Sequence, residues 1–224
     1  MTKTIVFDSG TIISFADNCL LWVLRSLKEK EGLELVMPSV VEFETITHPE
    51  RVAKHELNAL RIQQALRDGT FTIPVNTQEL AKATQRILRL ANDSFKSQGQ
   101  PLEILHAGEA QAMALVGLTD ARVFAVDEKT ARMILEEPLA LRKVLEDKLQ
   151  ASVTADEATL RELHKAVGEC VIVRSTELVA WASKKGLLEM RGIDSRQLLK
   201  ASLYAMKYNG CSVSFKEIED YTTS

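Results

Sequence analysis

Four acidic residues of this chain stand where strand-like runs give way to helix-like ones: Asp8, Glu42, Glu109 and Asp127. Asp8 ends "TIVF", and Glu42 follows "LELVM" within "VMPSVVEFE". Glu109 opens the helix-like "HAGEAQAMAL", and Asp127 ends the run in "VFAVDEKTAR". Open α/β sheets bind ligands in the crevice beyond the carboxyl ends of their strands, so a parallel sheet would bring all four acids to one edge. Like charges held that close raise one another's pKa, and the cluster is costly unless a cation neutralises it. Oxygen ligands without Cys or a paired His motif favour Mg²⁺ or Mn²⁺ over zinc. Those ions keep waters and accept phosphate oxygens, which points to phosphodiester chemistry. Each acid taken alone has an ordinary role, since Asp and Glu are common at helix starts. Asp8 fits that role least, because Asp is disfavoured at the tip of an apolar strand. Two choices stay open. Glu44 competes with Glu42, and Glu128 with Asp127; Glu42 is preferred in the first pair, and Asp127, the first residue past the apolar run, in the second.

The elements that must position these acids alternate along the chain. Strands are expected at 4–7, 33–37, 71–75, 122–126 and 170–174, the third short or at an edge because of Pro74. Between them, "IISFADNCLLWVLRSLKEK" carries Ile13, Leu20, Leu21, Leu24 and Leu27 at helical spacing, and 50–67, 78–95 and 107–118 also read as helices. Residues 96–101 (KSQGQP) read as a loop. Residues 132–167 carry two helical segments, the second opened by a Thr154-x-x-Glu157 capping box. Helices at 176–185 and 195–208 precede a charged tail. The expected organisation is one α/β domain over 1–175, with a helical insertion at about 133–168. A C-terminal helical extension, 176–224, packs on the same domain.

Composition narrows the classes. Of 224 residues, 46% are hydrophobic and 26% charged, which excludes wholesale disorder. The net charge of −3 and an aromatic content of 5% leave nucleic-acid binding to a local patch or to metal ions. Cys19, Cys170 and Cys211 are too scattered for a zinc knuckle or disulfide framework and read as buried thiols in a reducing compartment. No charged-then-apolar leader opens the chain and no apolar run is long enough for a membrane span, so a cytoplasmic protein without membrane contact is expected.

Four stretches, "IVFDSGTIISFA", "LVMPSVVEFE", "GEAQAMALV" and "VFAVDEKTAR", together resemble the PIN-domain nucleases in order and interval. The likeness spans about residues 3–135 and resumes from Cys170 through "WASKKGLLEM". It implies a three-layer α/β/α fold with a central, mainly parallel sheet, plus inserted and C-terminal helices. It also implies an acidic pocket of Asp8, Glu42, Glu109 and Asp127 that binds one or two Mg²⁺ or Mn²⁺ ions, with Ser9 orienting Asp8. The implied activity is endoribonucleolytic hydrolysis of RNA, expected to be single-stranded. Toxins of toxin–antitoxin pairs and RNA-processing enzymes both occur in the family. An antitoxin or other protein partner and a homodimer are compatible with the helical decorations. The chain departs from the family where Ala125-Val126 replaces the Thr that often precedes the fourth-strand acid. A catalytically inactive PIN-like protein-interaction module is the competing class.

Other chemistries fit less well. "DSGT" lacks the second Asp of the haloacid-dehalogenase phosphatases, and no Gly-x-x-x-x-Gly-Lys loop exists. His106 and Glu109 share a His-x-x-Glu spacing, with His106 expected at the pocket mouth. Lys82, Arg86 and Arg89 fall on one face of the 78–95 helix, where they suit an RNA backbone and a solvated face equally. Arg132, one turn past Asp127, is the better-placed cation.

Overall fold

Alternation sorts the β-branched runs onto two faces of one sheet. In the computed structural model, which describes residues 3–49, 52–119 and 121–223, four parallel strands form the main sheet. They are β1 (Lys3–Phe7), β2 (Leu33–Val36), β5 (Val123–Ala125) and β7 (Val171–Val173), in the order β2-β1-β5-β7. Ile5 pairs with Leu35 on one side and Val123 on the other. Ile5, Phe7, Leu33, Leu35 and Ala125 point into one core, and Val6, Val36, Phe124 and Val126 into a second. Helices cover both faces, as burial on both sides of a parallel sheet requires.

The first face carries α1 (Ser9–Asp17), α2 (Leu21–Glu31), α4 (Glu56–Arg67), α10 (Ser175–Lys184), α11 (Ser195–Tyr208) and α12 (Phe215–Thr223). A short helix α3 (Ser39–Glu42) and a π-helical turn (Phe43–Thr47) link β2 to this layer. The second face carries α5 (Gln78–Asp93), α6 (Ala107–Leu118), α7 (Lys129–Glu136), α8 (Pro138–Leu149) and α9 (Glu157–Val167). Here α6 is buried almost all round, and Gly117 lets α9 come close: a Cβ there would run into the Ala166 carbonyl.

Several elements differ from expectation, each for a local reason. The first long helix is two, because the chain breaks at Asn18–Leu20 and Cys19 adopts φ 56°. Cys19 is exposed there rather than buried. The third strand shrinks to a single parallel bridge, Val36 to Thr72, ahead of Pro74. The expected helix from residue 50 is helical only from Glu56, and Glu50 and Arg51 lie outside the described residues. The 96–101 loop is instead an antiparallel hairpin of β3 (Phe95–Ser97) and β4 (Gln100–Pro101), extended by β6 (Val153–Ala155) into a three-stranded second sheet. Thr154 therefore lies in a strand, and Asp156 caps α9 by accepting from the Ala158 and Thr159 N–H groups. Leu141, Leu145, Val153, Leu160 and Leu163 join the second core, so 138–167 is built into that layer. The charged tail forms α12, with Ile218 fully buried. Among the described residues no helix is long and apolar enough to cross a membrane.

Candidate active site

The strand order reverses direction at β1 and β5: the chain leaves β1 towards β2 and returns to β5 on the other side. That switch point is where open parallel sheets hold ligands, and Asp8 and Asp127 sit at the carboxyl ends of those two strands. The Asp8 N–H extends the ladder by donating to the Ala125 carbonyl at 2.9 Å. Asp8 is also the N-cap of α1, its Oδ2 accepting from Gly10 N–H at 3.1 Å. Gly10 leaves room at this turn: a Cβ there would lie a tight 3.3 Å from Asp8 Oδ2 and 3.9 Å from Asp127 Cβ. Asp127 is held from the helix that follows β7: its Oδ1 accepts from the N–H of Ser175, the first residue of α10, at 2.7 Å. The second oxygens, Asp8 Oδ1 and Asp127 Oδ2, are buried with no protein partner. Buried carboxylate oxygens are normally paired, so two orphans at the ends of neighbouring strands call for a ligand.

Glu109 approaches from α6. Its Oε2 accepts from the His106 N–H at 2.7 Å, the side-chain half of a helix cap. It is only 7% exposed. Burial pushes its carboxyl up to about 8 against that hydrogen bond, and the negative charges of Asp8, Glu128 and Glu44 push the same way. Burial likewise lifts Asp8 to about 6, opposed by the Gly10 and Ser9 N–H groups and assisted by Glu44 and Asp127. The charges that act most strongly on both groups are negative.

Of the two glutamates after the second strand, Glu44 rather than Glu42 is the one whose charge acts on Asp8 and Glu109. The π-helical turn Phe43–Thr47 carries Glu44 across the first turn of α6, where a Cβ on Gly108 would stand 2.5 Å from Glu44 Oε2. Gln111 Oε1 anchors this arrangement by accepting from Val40 N–H at 2.8 Å and Ser39 Oγ at 3.2 Å. Glu42 accepts from Thr47 Oγ1 at 3.1 Å instead, and its charge is not among those acting on Asp8 or Glu109. The two residues that separate Glu42 from Glu44 are about 200° of rotation on a helix, and the wider π turn alters the phase further. Glu128 is exposed and caps α7, accepting from Ala131 N–H, while its charge also acts on Glu109. Asp8 is the common neighbour: the charges of Glu44 and Asp127 act on it, and its own charge acts on Glu109 together with those of Glu128 and Glu44. Glu44→Gln is expected to weaken Mn²⁺ binding at least tenfold and Glu42→Gln by less than about twofold, measured by calorimetry.

The remaining candidates lie outside this cluster. His106 is exposed and its Nδ1 faces Glu103 at 3.3 Å. Lys82, Arg86 and Arg89 are exposed on α5, and Arg86 pairs with Glu162 of α9. Arg132 faces Glu136 at 3.8 Å, and its Nε is buried without a hydrogen bond. Among the described residues, no three Asp, Glu, His or Cys side chains are drawn together closely enough to hold a metal ion as they stand. The donors nonetheless suit a hard dication: all are carboxylates, two have buried unpaired oxygens, and Mg²⁺ makes part of its shell from water. No protein-family model, curated protein or solved structure matches the chain.

Proposed function

We propose that the chain is a divalent-metal-dependent ribonuclease of PIN type, hydrolysing RNA phosphodiester bonds at the Asp8, Glu44, Glu109 and Asp127 cluster. The observation that carries this reading is the pair of buried, unpartnered oxygens, Asp8 Oδ1 and Asp127 Oδ2, at the topological switch point beside two more carboxylates. A cluster that only stabilised the fold would contain its counter-charges; this one gathers repulsion.

Asp8 and Asp127 would hold a Mg²⁺ or Mn²⁺ ion, with Glu44 and Glu109 completing the acidic wall. Such an ion supplies Lewis acidity, stabilising charge on phosphoryl oxygens and making water acidic enough to attack near neutral pH. Tethers to Gly10, Ser175 and His106 N–H groups fix one oxygen of each of three carboxylates and limit their reorganisation. Phe43, 52% exposed on the turn that carries Glu44 and 6.1 Å from the His48 ring, offers a face for a nucleobase of a single strand.

The test is cleavage of a mixed single-stranded RNA panel. Cutting is expected with Mn²⁺ or Mg²⁺ and is expected to stop on adding EDTA, resuming when excess metal is restored. Cleavage that persists in EDTA would overturn the metal-centred reading.

A further inference from the structure

Asp127 owes its placement to the turn after β7, and that turn is held by the far end of the chain. Ser175, whose N–H fixes Asp127 Oδ1, is the first residue of α10. The residue before it, Arg174, ends the run from β7 and is 6% exposed. Its N–H donates to Glu177 Oε2 at 2.7 Å. Its guanidinium donates through Nη2 to Glu177 Oε1 at 2.8 Å and Glu217 Oε1 at 2.7 Å, and through Nη1 to the Ser212 carbonyl at 2.7 Å. Glu217 lies in the first turn of α12 and accepts a second bond from Ser214 N–H. Tyr221, a turn further along, faces Glu177 at 3.5 Å.

We infer that α12 is a positioning element for the acidic site, acting through Glu217, Arg174 and the Ser175 N–H on Asp127. The argument rests on the reading that Asp127 serves that site. A guanidinium this buried is stable only while its partners stay in place. Two of those partners, Glu217 and the Ser212 carbonyl, come from the C-terminal segment. Removing either lets the turn at Arg174 relax, and Ser175 moves with it. Arg174 and Glu217 touch no reacting atom and shape the site only through Ser175. Partners that orient metal ligands commonly cost 10–100-fold in metal affinity or activity when removed.

Glu217→Gln in the full chain is the informative change, since Glu217 is partly exposed and the amide keeps its shape. Amide hydrogen exchange at Ser175 is expected to quicken about tenfold. Exchange in α4 and α8 should stay as in the wild type, marking a local effect. Mn²⁺ affinity is expected to fall about tenfold, and Glu217→Asp, which keeps the charge, should recover part of both losses. Unchanged exchange at Ser175 overturns the inference. Quickened exchange in a protein whose wild type binds no Mn²⁺ upholds α12 as the brace of Asp127 and sinks the metal reading of the site instead.

Discussion

Glu109→Gln is expected to make the metal-free protein more stable at pH 8 while weakening its response to Mn²⁺. Burial and three negative neighbours hold the Glu109 carboxyl at about 8 in the folded chain, against an ordinary 4.5. The folded state therefore keeps a proton that the unfolded state has released. Between about pH 4.5 and 8 folded Glu109 binds more protons than unfolded, so its contribution to stability falls as pH rises. The slope is about 1.4 kcal/mol per pH unit at most, which places the penalty at pH 8 at a few kcal/mol. Glutamine carries no charge, and its amide oxygen can still accept the His106 N–H. The melting temperature in EDTA should rise by about 5–10 °C at pH 8 and scarcely change at pH 4.5. Mn²⁺ at a fixed concentration should stabilise the wild type more than the variant. Melting curves of both proteins at the two pH values, with EDTA or Mn²⁺, decide it. A variant less stable than wild type at pH 8 would mean that Glu109 is paired and holds the fold.

Asp8→Asn is expected to lower RNA cleavage on the order of 10³-fold, about 4 kcal/mol in barrier. The amide oxygen can still cap α1 through the Gly10 N–H, so the turn survives. What disappears is the charge at the unpartnered Oδ1, next to Asp127. Folding should not suffer, because Asp8, raised to about 6 by burial, opposes stability above that pH. Single-turnover cleavage of labelled RNA in Mn²⁺, beside a melting curve, separates the two effects. A folded variant within tenfold of wild-type rate would sink the proposed centre.

The parallel sheet was legible because its strands are apolar runs that end in acids or turn residues. Asp8, Glu109 and Asp127 followed from that, each falling where a strand or loop meets a helix. Glu44 was harder to separate from Glu42, since both lie in one short helical stretch and the π turn that sets their phase leaves no periodic trace. The second sheet escaped notice for a related reason. β3, β4 and β6 are two or three residues each, too short for alternation to register, and Gly99 and Pro101 read as loop. The Arg174 clamp joins groups distant in sequence, and "RSTE" alone announces only a helix start.

The order β2-β1-β5-β7 also governs how the acids are distributed along the chain. β1 finds β2 nearby in sequence, but its other neighbour, β5, lies more than half the chain away. Asp8 and Glu44 belong to the first stretch, Glu109 and Asp127 to the second. Closing the longer loop carries the larger entropic cost, and non-local pairing of this kind slows folding. A cut anywhere between Glu44 and Glu109 leaves each fragment with half the acids. The grouping of these acids is thus a product of sheet closure, and two pieces of this protein would restore it only by reassembling across the β1–β5 seam.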